Sequence, residues 1–99
     1  MKVVRFHEEA KRELADEALY YAAISPQLGE RFVAAVETAM ALASEFPGVG
    51  SPYKYQTRRV YPKKFRFSLV YVEREEELYV LAVAPFSRKP GYWRSRGAA

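Results

Sequence analysis

Cations and aromatics carry nearly all the chemistry available in this chain. Residues 51–99 hold eleven lysines and arginines against four acids, Glu73, Glu75, Glu76 and Glu77, which fall in one short run. Residues 1–50 hold five bases against eight acids, so the positive charge belongs to the second half alone. Around the aromatics Tyr92 and Trp93 stand Arg88, Lys89, Arg94 and Arg96. Such a field favours an anionic partner, a nucleic acid or an acidic peptide. Other chemistries are excluded by residue type. There is no cysteine, which removes disulfide scaffolds, thiolate nucleophiles and cysteine-ligated zinc. The single histidine, His7, cannot build a histidine metal site by itself, and it stands where it would cap a helix rather than catalyse.

The elements that position these groups follow from periodicity. Val3, Val4 and Phe6 suit a short strand. Glu8 and Glu9 place negative charge at the positive end of a helix, and Ala10, Leu14, Ala18, Tyr21 and Ala22 form one buried stripe that ends near Ile24. Ser25-Pro26 restarts a helix, with serine as cap and proline in the first turn. Leu28, Phe32, Val36, Met40 and Ala43 carry it to about Phe46, where Pro47-Gly48 closes it. So short a turn predicts an antiparallel helical hairpin in which Tyr20 and Tyr21 are packing aromatics.

Gly48 to Tyr55 reads as an irregular loop. Strands are predicted over Thr57–Tyr61, Arg66–Glu73 and Glu77–Ala84, the last two joined by the charged turn Arg74-Glu75-Glu76. The expectation is an α+β fold: an antiparallel four-stranded sheet in the order strand, helix, helix, strand, strand, strand, with the hairpin packed on one face. One domain spans 1–99, with sheet and hairpin in 1–84 and a basic-aromatic tail in 85–99. An apolar fraction of 49% suffices for its core.

Alternation along the last two strands puts Phe67, Leu69 and Tyr71 opposite Val70 and Val72, and Leu78, Val80 and Ala82 opposite Tyr79, Leu81 and Val83. Both sheet faces are then apolar, while one hairpin covers only one of them. The tail, a dimer mate or another protein must cover the second. Arg58 and Arg59 alternate across a strand, so one of them should face solvent and blunt an edge. No run approaches the roughly 18 apolar residues of a membrane span, and the opening Lys2-Val3-Val4-Arg5-Phe6 is too short and interrupted for a signal-peptide core. No membrane and a cytoplasmic location are the expectation.

At this point the chain resembles a known family. Glu13-Leu14, Ala18, Tyr20-Tyr21, Leu28-Gly29-Glu30-Arg31-Phe32, Pro47 and Gly50 are similar to the helical hairpin of RelE/ParE toxins from type II toxin–antitoxin systems. Arg58-Arg59, Leu69-Val70-Tyr71, and Ala82-Val83 followed by Arg88, Pro90 and Tyr92-Trp93 continue the likeness over nearly the whole chain. No single piece is specific; the ordered set is. The resemblance implies a growth inhibitor without cofactor, neutralised by a cognate antitoxin in a hetero-oligomeric complex. Two activities occur in the family: ParE-like members poison DNA gyrase, and RelE-like members cleave mRNA on the ribosome.

Metal-free RNA cleavage requires a base for the 2′-OH, an acid for the leaving oxygen, and cations for the phosphorane. Lys54, Arg59, Arg66 and Arg88 are the candidate cations, with Tyr92 as an acid or stacking platform. A base is missing, because the position where many relatives carry histidine after the last strand is Pro85, beside Phe86. Some RNases of the family manage with lysines and arginines alone. A gyrase-directed inhibitor needs only a docking surface, for which Arg88, Lys89, Tyr92, Trp93 and Arg96 are the candidates. Trp93 serves equally well as a cap on the open end of the sheet. The Tyr20-Tyr21 pair and the Arg88…Pro90-Gly91-Tyr92-Trp93…Arg96 ending resemble this ParE-like branch more closely.

Overall fold

Ser25 serves two helices at once. Its extended backbone (φ −160°, ψ 137°) ends α1 (Glu8–Ile24), where its N–H donates to the Tyr21 carbonyl. Its hydroxyl accepts from the Leu28 N–H at 3.1 Å, capping α2 (Pro26–Glu45). The helices then close tightly on each other because Gly29 has no side chain: a Cβ there would stand 2.8 Å from that of Ala22. At the other end of α1 the His7 ring caps the helix, accepting from the Glu9 N–H at 3.0 Å. The computed structural model describes residues 1–98.

The sheet differs from the antiparallel four-stranded expectation. It has five strands in the order β1-β5-β4-β3-β2 and is mixed: β1 (Val3–Phe6) runs parallel to β5 (Glu77–Pro85), and the other pairings are antiparallel. Alternation along β1 does not reveal a partner more than seventy residues away, which is why the pairing is invisible locally. The additional strand, β2 (Ser51–Tyr53), lies in the segment read as loop and pairs with β3 (Thr57–Val60). Three residues with Pro52 among them make no recognisable pattern, and proline is tolerated because β2 is an edge. β4 (Phe67–Glu73) and β5 form the expected hairpin.

The faces of β5 depart from simple alternation. Tyr71 opposes Val80 and Val70 opposes Ala82, so Leu81 is an extra residue in a bulge. Leu81 and Ala82 therefore share one face, and Val83 joins Leu78 and Val80 on the other. The helix-side core packs Phe32, Val36 and Met40 against Leu69, Tyr71, Leu78, Val80 and Val83. Tyr21 belongs to an aromatic cluster with Phe32 and Phe65, at 5.1 and 5.2 Å between centroids, while Tyr20 points outward and is exposed. The Tyr71 hydroxyl donates to the Pro47 carbonyl (2.7 Å) and accepts from Gly50 N–H (3.0 Å), pinning the chain between α2 and β2.

The second face is covered by the chain's own tail. Trp93, 1% exposed, packs with Val70, Leu81, Ala82 and Ala84, and Tyr53 and Tyr92 flank it. The doubly apolar sheet thus has an internal explanation and does not require a partner. Arg58 and Arg59 blunt no edge, because β2 lies outside β3. Arg58 donates to the Gly50 carbonyl at 2.7 Å, and Arg59 turns to the tail side opposite Val70.

Candidate functional site

The tail is held by Glu13, a residue of the helical resemblance with no site role expected from sequence. It stands in the second turn of α1, between helix and tail, with its side chain 16% exposed. Arg96 donates to it twice, Nη1 to Oε1 at 3.0 Å and Nη2 to Oε2 at 3.1 Å, and Nη1 also reaches the Leu81 carbonyl at 2.9 Å. The Val83 N–H donates to Oε1 at 3.0 Å. These backbone groups are free for a reason: β1 ends at the His7 N–H bond to the Val80 carbonyl, and beyond it the bulge at Leu81 turns the next groups to the vacated side. Arg88 Nη1 adds a looser contact to Oε2 at 3.6 Å. A carboxylate with two-pronged arginine and a backbone donor is well satisfied.

Between the two arginines lies Tyr92. The Arg88 guanidinium is 3.4 Å from its ring centroid and that of Arg96 5.1 Å. Burial first, and the neighbouring Glu13 charge second, push the Tyr92 hydroxyl well above the usual phenol range; Arg88 and Arg96 oppose this only in part. The hydroxyl feels Glu13 but forms no hydrogen bond of good geometry, since the carboxylate already serves Arg96, Arg88 and Val83.

Next to this cluster a pocket of about 250 Å³ opens among Tyr53, Arg59, Tyr61, Ser68, Phe86 and Arg88. Arg59 stacks 4.0 Å from the Tyr53 ring centroid and 5.3 Å from that of Tyr61. Its Nη1 makes a long bond to Ser68 Oγ (3.5 Å), and its Nε is enclosed without a hydrogen-bond partner. No ion pair of Arg59 occurs among the described residues. Tyr61 and Phe86 meet edge to face at 5.6 Å on the rim, and Arg66 lies over Phe86 at 5.5 Å.

The sequence-derived candidates separate accordingly. Arg59 and Arg88 share the pocket, and Arg66 stands just outside it. Lys54 is exposed in the turn between β2 and β3 and does not line it. Lys89 is exposed on the tail. Trp93 and Arg96 are turned inward, the first against the sheet and the second against Glu13, so neither is offered to a target in this arrangement. Glu13, Tyr53, Ser68 and Phe86 are additions that only packing identifies. No cluster of three or more His, Asp or Glu that could hold a metal occurs among the described residues.

The sequence profile described as "ParE toxin of type II toxin-antitoxin system, parDE" matches residues 4–90. The chain belongs to the ParE toxin family. Its partner is therefore a cognate antitoxin. No curated protein matches the chain. The profile match covers both helices of this ParE toxin and every strand but for Val3 at the start of β1, includes Arg59 and Arg88, and stops before Tyr92, Trp93 and Arg96. The tail lock through Glu13 thus ties a residue inside the matched stretch to residues outside it. No helix among the described residues is long and apolar enough to cross a membrane.

Proposed function

We propose that this ParE toxin inhibits DNA gyrase by docking and not by chemistry, and that its antitoxin neutralises it by forming a complex with it in the cytoplasm. One observation carries the reading. Tyr92, the only acid candidate in the sequence-derived set, has its hydroxyl enclosed beside Glu13 with its pKa raised, and the pocket side chains around Arg59 include no histidine, carboxylate or lysine. Cleavage there would have to take its proton-transfer groups from Tyr53, Tyr61, Arg59 and Arg88 alone. A docking surface needs none. Arg88 and Lys89, exposed beside Phe86 on the tail, are the residues available for target contact.

Purified toxin at stoichiometric ratio to gyrase should block supercoiling or trap cleaved DNA. Unchanged supercoiling would remove the gyrase target. The second reading, a ribosome-dependent mRNA endonuclease, draws support from the convergence of Arg59 and Arg88, cations suited to a phosphorane. It requires new 5′ ends at defined codon positions when translated mRNA is analysed by primer extension.

A further inference from the structure

We propose that the Arg59 pocket is a seat for one phosphodiester group of a nucleic-acid strand, with Tyr61 and Phe86 as stacking platforms for the adjoining base. Arg59 is a cation built into a sheet face, held between two tyrosine rings, with its side chain lining the pocket and no ion pair among the described residues. An arriving oxyanion would supply the missing counter-charge. Guanidinium matches such an oxyanion through parallel N–H donors. The pocket, about 250 Å³ and open to solvent, has room for one phosphate group beside Arg59. The adjoining base would meet the rim, which is aromatic.

An acidic side chain of a protein would also satisfy Arg59, but the rim argues for nucleic acid. Tyr61 and Phe86 are each 46% exposed, edge to face, with Arg66 over Phe86 at the outer side. Exposed rings interleaved with unpaired arginines give a base a π-face and the next phosphate a cation; a carboxylate uses neither ring. Arg88 lies on the same rim but shares its charge with Glu13, so Arg59 is the principal anchor. The ligand group is the phosphate, so DNA and RNA single strands should bind alike. The seat does not rest on gyrase being the target.

The test is fluorescence anisotropy with a short labelled single-stranded oligonucleotide, as DNA and as RNA, on the full chain. Arg59→Gln should weaken binding about tenfold, as loss of a charge-assisted contact does, with Arg59→Lys between the two. Phe86→Ala, on the surface and safe for folding, should cost about tenfold through the lost stack. The paired change Lys11→Gln with Arg31→Gln, on exposed positions of the two helices, should cost about twofold through general charge alone. Equal losses at all these sites would overturn the seat. So would tighter binding of a polyglutamate peptide than of the oligonucleotide through Arg59, or a strand that binds no better than inorganic phosphate. Arg59-dependent cutting of the RNA would support the seat while overturning the non-catalytic reading above.

Discussion

Arg96 and Glu13 meet in a two-pronged pair across 83 residues of sequence, at 3.0 and 3.1 Å, and that pair fastens the tail to the first helix. The side chains are only 13% and 16% exposed, so solvent screens the interaction weakly. The carboxylate also receives the Val83 N–H, and the guanidinium also reaches Leu81, so neither side can leave without orphaning sheet backbone.

Arg96→Ala should therefore destabilise the fold by roughly 3 kcal/mol, the range seen when one partner of a largely buried pair is removed. Urea unfolding measures it. Arg96→Lys keeps the charge and loses the planar fork, so its loss should fall between wild type and alanine. A loss within experimental error for Arg96→Ala would mean that the tail is not fastened here.

Tyr92→Phe separates chemistry from packing. The hydroxyl has no well-formed hydrogen bond, so its removal should leave stability at neutral pH unchanged or raised by up to about 1 kcal/mol, and growth inhibition intact. Abolished growth inhibition with an unchanged fold would instead make Tyr92 an acting acid. The pH dependence has a defined sign. The folded pKa of Tyr92 is raised, so the folded state keeps its proton where the unfolded chain has lost it. Stability is intact below the unfolded value of about 10 and falls as pH rises above it. Tyr71 and Tyr21, also raised chiefly by burial, act in the same direction. Tyr92→Phe should flatten, without abolishing, this alkaline loss in urea unfolding followed from neutral to alkaline pH.

Trp93→Ala tests whether the tail covers the sheet. Truncating a fully buried tryptophan costs about 3–5 kcal/mol, and the freed face of Val70, Leu81 and Ala82 should bind a hydrophobic dye. Native stability together with lost target binding would return Trp93 to the surface role that its composition first suggested.

Much of the fold was legible because it rests on short-range chemistry. Ser25-Pro26 marked the junction between the helices, the three-and-four spacing of Phe32, Val36 and Met40 marked a buried stripe, and the charged turn after Glu73 marked the hairpin of β4 and β5. Each signal lies within one element or one turn, where backbone preference and side-chain period act directly. The parallel partner of β1 and the three-residue β2 had no such local mark.

The cations show the same division. By itself the sequence determined that the second half is basic, that Arg59 and Arg88 stand on or just after strands, and that thiol chemistry is absent. It could not say which cations are spoken for. β1 ends beside Val80, the bulge turns the Leu81 carbonyl and the Val83 amide to the side it vacates, and Glu13 and Arg96 meet there. That neutralises Arg96, partly engages Arg88, and leaves Arg59 between its tyrosines without a counter-charge among the described residues. Charge is a property of residues and is written in the chain; whether a charge is satisfied depends on what the tertiary structure brings within about 4 Å of it.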